Sequence, residues 1–89
     1  MTRYRLEVRP AVERWFGKLR DARLKKRLTE AMARLAENPR PAGALKLQGA
    51  DNRYRLRVGD YRIIYEIHDR MLLVLIVDVA DRKDIYRHN

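Results

Sequence analysis

No cysteine occurs in the 89 residues, which excludes a disulfide framework, a thiolate nucleophile and a cysteine metal site. Long apolar runs are missing too. The longest, Met71 to Val77, is far too short to span a bilayer. The opening "MTRYRLEV" has no apolar stretch of the signal-peptide kind and reads as the start of a strand. Histidine is nearly absent: His68 sits by the turn "HDRM", where it should be solvated, and His88 stands next to the C-terminus. There is no pair of histidines at i, i+4 and no carboxylate–histidine cluster, so neither a metal nor another cofactor is expected. Repeats, low-complexity tracts and internal boundaries are absent as well. The expectation is one small cytoplasmic domain over residues 1–89, with a compact core and short loops.

Negative charge is also in short supply. Lys and Arg number 21 against 12 Asp and Glu, a net charge of +9 and a pI near 10.5. Such an excess favours a polyanionic partner, most often nucleic acid. It is uneven. Residues 1–51 hold 13 basic and 6 acidic side chains, whereas residues 52–89 hold 8 and 6.

What is present reads as alternating strands and amphipathic helices. "RYRLEVR" (3–9) alternates through Tyr4, Leu6 and Val8, a half-buried strand. Pro10 suits a first helical turn, and Glu13 favours its positive end. Val12, Trp15, Phe16 and Leu19 then fall on one helical face. Asp21 is placed to cap a second helix, whose apolar stripe is Leu24, Leu28, Ala31, Met32 and Leu35. Its other side carries Arg20, Arg23, Lys25, Lys26, Arg27 and Arg34, and Asn38-Pro39 ends it. Leu45 and Leu47 hint at a short strand. Strands follow over 53–58 and 61–67, and "MLLVLIVDVA" (71–80), apolar on both faces, reads as a central strand. The order β-α-α-β-β-β predicts an α+β fold: a small antiparallel-rich sheet with two N-terminal helices packed on one face.

"RYRLRVGDYRIIYE" (53–66) deserves its own register. A two-residue loop led by Gly59 fits a type II′ turn. Val58 then faces Tyr61, Leu56 faces Ile63 and Tyr54 faces Tyr65, all on one apolar side. The opposite side pairs Arg53 with Glu66, Arg55 with Ile64, and Arg57 with Arg62. Like charges directly opposite cost up to about 1 kcal/mol. A bound phosphate would reverse that cost, because guanidinium groups grip phosphate bidentately. Arg55, Arg57 and Arg62 are therefore a candidate anion site on a face the helices leave open; the alternative is a solvated sheet face. The tail "VADRKDIYRHN" adds Arg82 and Tyr86, and by its residues alone Tyr86 is an ordinary structural aromatic.

The run "LQGADNRYRLRVGDYRIIYEI" followed by "LLVLIVDVADRKDIYR" resembles the RelE toxins of bacterial and archaeal toxin–antitoxin pairs, within the RelE/ParE superfamily. The likeness covers nearly the whole chain. It implies a type II toxin that acts as a ribosome-dependent mRNA endoribonuclease in the A site. In that family the 2′-hydroxyl before the cut attacks the adjacent phosphate, without a metal, and leaves a 2′,3′-cyclic phosphate and a 5′-hydroxyl. Carried over position by position, the catalytic residues are Arg55, Arg57, Arg62, Arg82 and Tyr86. The first two positions are often lysine in that family. Arginine effectively never gives up its proton, so Arg55 and Arg57 should stabilise the phosphorane rather than act as bases. Asp81 stands where relatives often have histidine or lysine. Arg23, Lys25, Lys26 and Arg27 would hold ribosomal RNA through its phosphates. The implied partners are a cognate antitoxin protein, the ribosome with its mRNA, and operator DNA bound by a toxin–antitoxin hetero-oligomer. The rival readings are a ParE-like inhibitor of DNA gyrase on the same fold, and a degenerate binding partner without activity.

Overall fold

A computed structural model describes residues 3–81 of the protein. Strand β1 (Arg5–Val8) leads into helix α1 (Pro10–Lys18) and helix α2 (Ala22–Glu37). Strands β2 (Leu45–Lys46), β3 (Arg53–Val58), β4 (Tyr61–His68) and β5 (Leu73–Asp81) complete one five-stranded sheet. Its spatial order is β1-β5-β4-β3-β2. Only β1 and β5 run parallel; the other neighbours are antiparallel. The α+β fold therefore matches its expectation, including an interior position for the apolar β5. The short strand hinted at by Leu45 and Leu47 is real but only two residues long.

The helices begin where their chemistry directs. Pro10 occupies the first turn of α1, a position whose N–H has no intrahelical partner in any case. The Asp21 carboxylate accepts a 3.0 Å hydrogen bond from the Leu24 N–H, a cap worth about 1 kcal/mol. The buried stripe of α2 is Leu28, Ala31, Met32, Leu35 and Ala36. With Val12 it meets Ile63, Tyr65, Ile67, Val74, Ile76 and Val79 from the sheet. Each large side chain so buried contributes roughly 1.5–3 kcal/mol. Tyr65 is fully buried, and its hydroxyl donates to the Pro39 carbonyl oxygen at 2.7 Å. That bond draws the segment after α2 onto the sheet. Burial pushes the Tyr65 phenol up to about 12.

Two features of β5 differ from expectation. Residues 69–71 form a single 3-10 turn, and Leu72 adopts φ +49, so the strand starts at Leu73 rather than Met71. Further along, Tyr65 pairs with Ile76 while Ile64 pairs with Asp78, which leaves Val77 as an extra residue, a β-bulge. Side chains alternate along a strand. Without the bulge, Asp78 would share the inward side of Val74 and Ile76. With it, Val79 turns into the core and Asp78 comes out beside the arginines. On the far end of the molecule, Arg40 pairs bidentately with Asp69 (2.9 and 3.2 Å), and the Tyr4 hydroxyl donates to the same carboxylate at 2.6 Å. The Arg40 guanidinium also lies 5.5 Å from the centre of the Tyr54 ring, which stacks on Tyr65.

Candidate functional site

The hairpin turn sets the site. Gly59 has φ +61, whereas Leu72 is the only non-glycine among the described residues with positive φ, so Asp60 does not share that conformation. This is the type II′ pattern, whose twist matches the flanking strands. The register follows as expected: Arg57 opposite Arg62, Arg55 opposite Ile64, Arg53 opposite Glu66, and Val58, Leu56 and Tyr54 opposite Tyr61, Ile63 and Tyr65. Helices cover the second set. The first set forms a face on the other side of the sheet.

That face is electrostatically divided. At its β4 C-terminal end, Glu66 gathers partners: Arg53 at 2.6 Å, the His68 imidazole at 3.0 Å and Arg9 at 4.0 Å. The Arg53 hydrogen bond, supported by His68, holds the Glu66 carboxyl below its ordinary value despite partial burial. His68, expected to be solvated, is instead held between Glu66 and the Asn52 side chain, whose Nδ2 lies 3.4 Å from His68 Nδ1. The tautomer protonated on Nε2 satisfies both contacts. Sequence reasoning missed this cluster because it ended the strand at Ile67; one more residue puts Glu66 and His68 on the same side.

At the turn end the arginines are not neutralised. Among the described residues, Arg55, Arg57 and Arg62 form no ion pair. Arg57 Nε donates to the Gly59 carbonyl oxygen at 3.0 Å, which tethers its stem at the turn. Among the described residues, Arg62 Nη1 is buried without a hydrogen-bond partner, as is Arg53 Nε, and Arg62 stands directly across from a second cation, Arg57. Of the remaining expected catalytic residues, Arg82 and Tyr86 lie outside the described residues.

The basic helix divides as well. Arg23 and Arg27 line a cleft with Val58, Asp60 and Tyr61 at the hairpin turn. A Cβ on Gly59 would come within 3.2 Å of an Arg27 guanidinium nitrogen, so α2 and the turn are in close approach there. Arg27, Arg34 and Arg57 also border a groove of about 490 Å3 between α2 and β3. Lys25 points elsewhere: it edges an apolar groove with Leu6, Val8, Phe16 and Met32. Lys26 is exposed on the helix. The four cations expected to act together thus belong to at least two surfaces, and Arg23 with Arg27 is the pair beside the hairpin turn, on the helix side of the sheet.

Among the described residues, no group of three or more His, Cys, Asp or Glu side chains could hold a metal ion, and no helix is long and apolar enough to cross a membrane.

Comparison with known proteins identifies the two-helix, five-strand α+β fold as RelE-like. The family model for the ParE toxin of the type II toxin–antitoxin system parDE matches residues 6–86. The chain belongs to that family and is a type II toxin with a RelE-like fold. The archaeal RelE of the RelE–RelB complex from Pyrococcus horikoshii OT3 is similar at 30% identity, with a TM-score of 0.77 over 92% of this chain and 97% of that one. The toxin–antitoxin complex RelBE2 from Mycobacterium tuberculosis gives 25% identity and 0.74 over 90% and 99%. The isolated RelE toxin of E. coli, at 20% identity, shares the fold with a TM-score of 0.76 over 97% and 99%. No curated protein sequence is significantly similar to the chain.

Proposed function

We propose that the protein is a ribosome-dependent mRNA endoribonuclease, a RelE-type mRNA interferase that inhibits translation in the cytoplasm. One observation carries the reading: Arg55, Arg57 and Arg62 share a face and form no ion pair among the described residues, with Arg57 set directly against Arg62. A phosphodiester placed there turns the Arg57–Arg62 repulsion into shared attraction. Cleavage follows from charge development. As the 2′-oxygen attacks, the pentacoordinate phosphorus gains negative charge, and preorganised guanidinium groups stabilise it more than the ground state. In-line alignment of the 2′-oxygen comes from the ribosome. Breaking the P–O5′ bond leaves a 2′,3′-cyclic phosphate and a 5′-hydroxyl. Arg82 would add to the cationic set, and Tyr86 would stack on a base or exchange a proton. Arg23 and Arg27 beside the hairpin, with Lys25 and Lys26, would grip ribosomal RNA.

Solved relatives are held in complexes with RelB antitoxins, which supports a cognate antitoxin for this chain, in a hetero-oligomer that binds operator DNA. The matching family model is that of the ParE toxin, and the second reading is a ParE-like inhibition of DNA gyrase without RNA cleavage. Primer extension on mRNA after induction, beside a gyrase supercoiling assay, separates the two. Ribosome-dependent cuts that vanish in Arg62→Ala are the expected result. Supercoiling inhibition without cuts would overturn the reading.

A further inference from the structure

We propose that Asp78, brought onto the arginine face by the bulge at Val77, is the carboxylate that accepts the proton of the attacking ribose hydroxyl. The inference rests on the endoribonuclease reading and supplies a group it lacks, since arginines can bind the scissile phosphate but cannot take a proton from the nucleophile.

The placement comes from the register. Arg55, Ile64 and Asp78 form one row across β3, β4 and β5. Arg62 and Ala80 stand in the next row. Directly opposed Cβ atoms lie about 4.5–5.5 Å apart and diagonal ones about 7–8 Å apart. Asp78 is therefore a diagonal neighbour of Arg62, and only the Ile64 side chain separates it from Arg55. A phosphate gripped by these two arginines sits over Ile64, with the Asp78 carboxylate at its edge.

Elimination agrees with placement. Three described carboxylates face this side of the sheet: Glu7, Glu66 and Asp78. Glu7 is taken by Arg5 Nε at 2.9 Å. Glu66 is taken by Arg53 and His68. Asp78, half-buried, makes no ion pair or hydrogen bond with any described residue. An anionic group at this position weakens phosphate binding unless it does something else. The bulge is a second, independent pointer. Bulges gather beside active sites, where they re-aim a side chain, and this one moves Asp78 from the core side to the arginine side. The charged groups around it are Arg55 and Arg57 of β3, Arg62, Glu66 and His68 of β4, and Glu7 and Arg9 at β1.

The step balances simply. The 2′-oxygen forms its bond to phosphorus as its proton passes to an Asp78 oxygen. The P–O5′ bond breaks with its electron pair going to O5′, which takes a proton from solvent water. Asp78 then returns its proton to solvent.

The test is single-turnover cleavage of mRNA on programmed ribosomes across a pH series, for the parent, Asp78→Asn and Asp78→Ser, with ribosome binding measured in parallel. Both variants should cut 10²–10⁴-fold more slowly while binding ribosomes within about threefold of the parent, about half of the free energy of a tenfold step in affinity. Both should also lose the acidic limb of the parent's pH–rate profile. Cleavage near the parent rate, or a slow variant that keeps the acidic limb, overturns the assignment. A parent that does not cut mRNA on ribosomes overturns the endoribonuclease reading, and this assignment falls with it. A cutting parent beside a fully active Asp78→Asn overturns the assignment alone.

Discussion

Replacing Arg62 by methionine should make the free protein more stable while removing the proposed anion site. Methionine keeps the unbranched stem and deletes the charged head. Two unfavourable contributions go with that head. One is the direct cross-strand opposition to Arg57, worth about 0.2–1 kcal/mol. The other is the buried, unpartnered Nη1. An unsatisfied buried donor costs about 1–3 kcal/mol, and the lower end applies because Arg62 as a whole is only half-buried. Together they amount to about 1–2 kcal/mol. For a domain of this size each kcal/mol moves Tm by about 4–8 °C, so calorimetry at low salt should show a rise of roughly 5–15 °C. Near 1 M salt the Debye length falls to about 3 Å; the repulsive part is then screened and the difference narrows. Phosphate should raise the Tm of the parent by mass action and leave the variant unmoved. A variant no more stable than the parent at low salt would refute the reasoning, because Arg62 would then be stabilised in the free protein.

Tyr65→Phe leaves the Pro39 carbonyl oxygen without its buried donor and should cost about 1–3 kcal/mol, measured by urea denaturation with an unchanged m-value. Glu66 and Asp69 are both held below their ordinary carboxyl values, by Arg53 with His68 and by Arg40 with Tyr4 respectively. Because the folded values are depressed, their contribution is complete above the unfolded carboxyl range and is lost as pH falls through that range to the folded values. Glu66→Gln should therefore flatten the acid limb of a stability–pH curve, and an unaltered limb would count against the Glu66 cluster. Charge reversal at Arg23 and Arg27 should weaken salt-sensitive ribosome association more than reversal at Lys25 and Lys26, because only the first pair borders the hairpin turn; filter binding across a salt series checks the order.

The hairpin was legible residue by residue because its loop is two residues long and led by a glycine, and those two facts determine every cross-strand pair. The helices were legible from Pro10, Asp21 and the apolar stripes. The bulge was not. Leu73 to Val77 is apolar throughout, so alternation there has no phase, and an extra residue leaves no mark on the pattern. Leu72 at φ +49 carries no compositional signal either, since glycine or asparagine is the usual residue there. The opposition of Arg57 to Arg62, and the place of Arg55 on the same face, were readable from register alone. The Glu66–His68–Asn52 cluster escaped because the strand was ended one residue early. Arg40 with Asp69 escaped because no local rule links positions 29 apart.

The linkage of Tyr4, Arg40, Tyr54 and Asp69 has a consequence for time rather than for strength. Its partners come from the residue before β1, the segment after α2, β3 and the 3-10 turn, and Tyr4 and Asp69 are 65 positions apart. Contacts across such a span carry a large loop-closure cost and form only once the intervening chain is in place. The cluster should thus be absent from the folding transition state. Disrupting it, as in Asp69→Asn, then leaves the refolding rate nearly unchanged and accelerates unfolding. A cluster that takes no part in the arginine face would thereby set how long a folded toxin molecule persists.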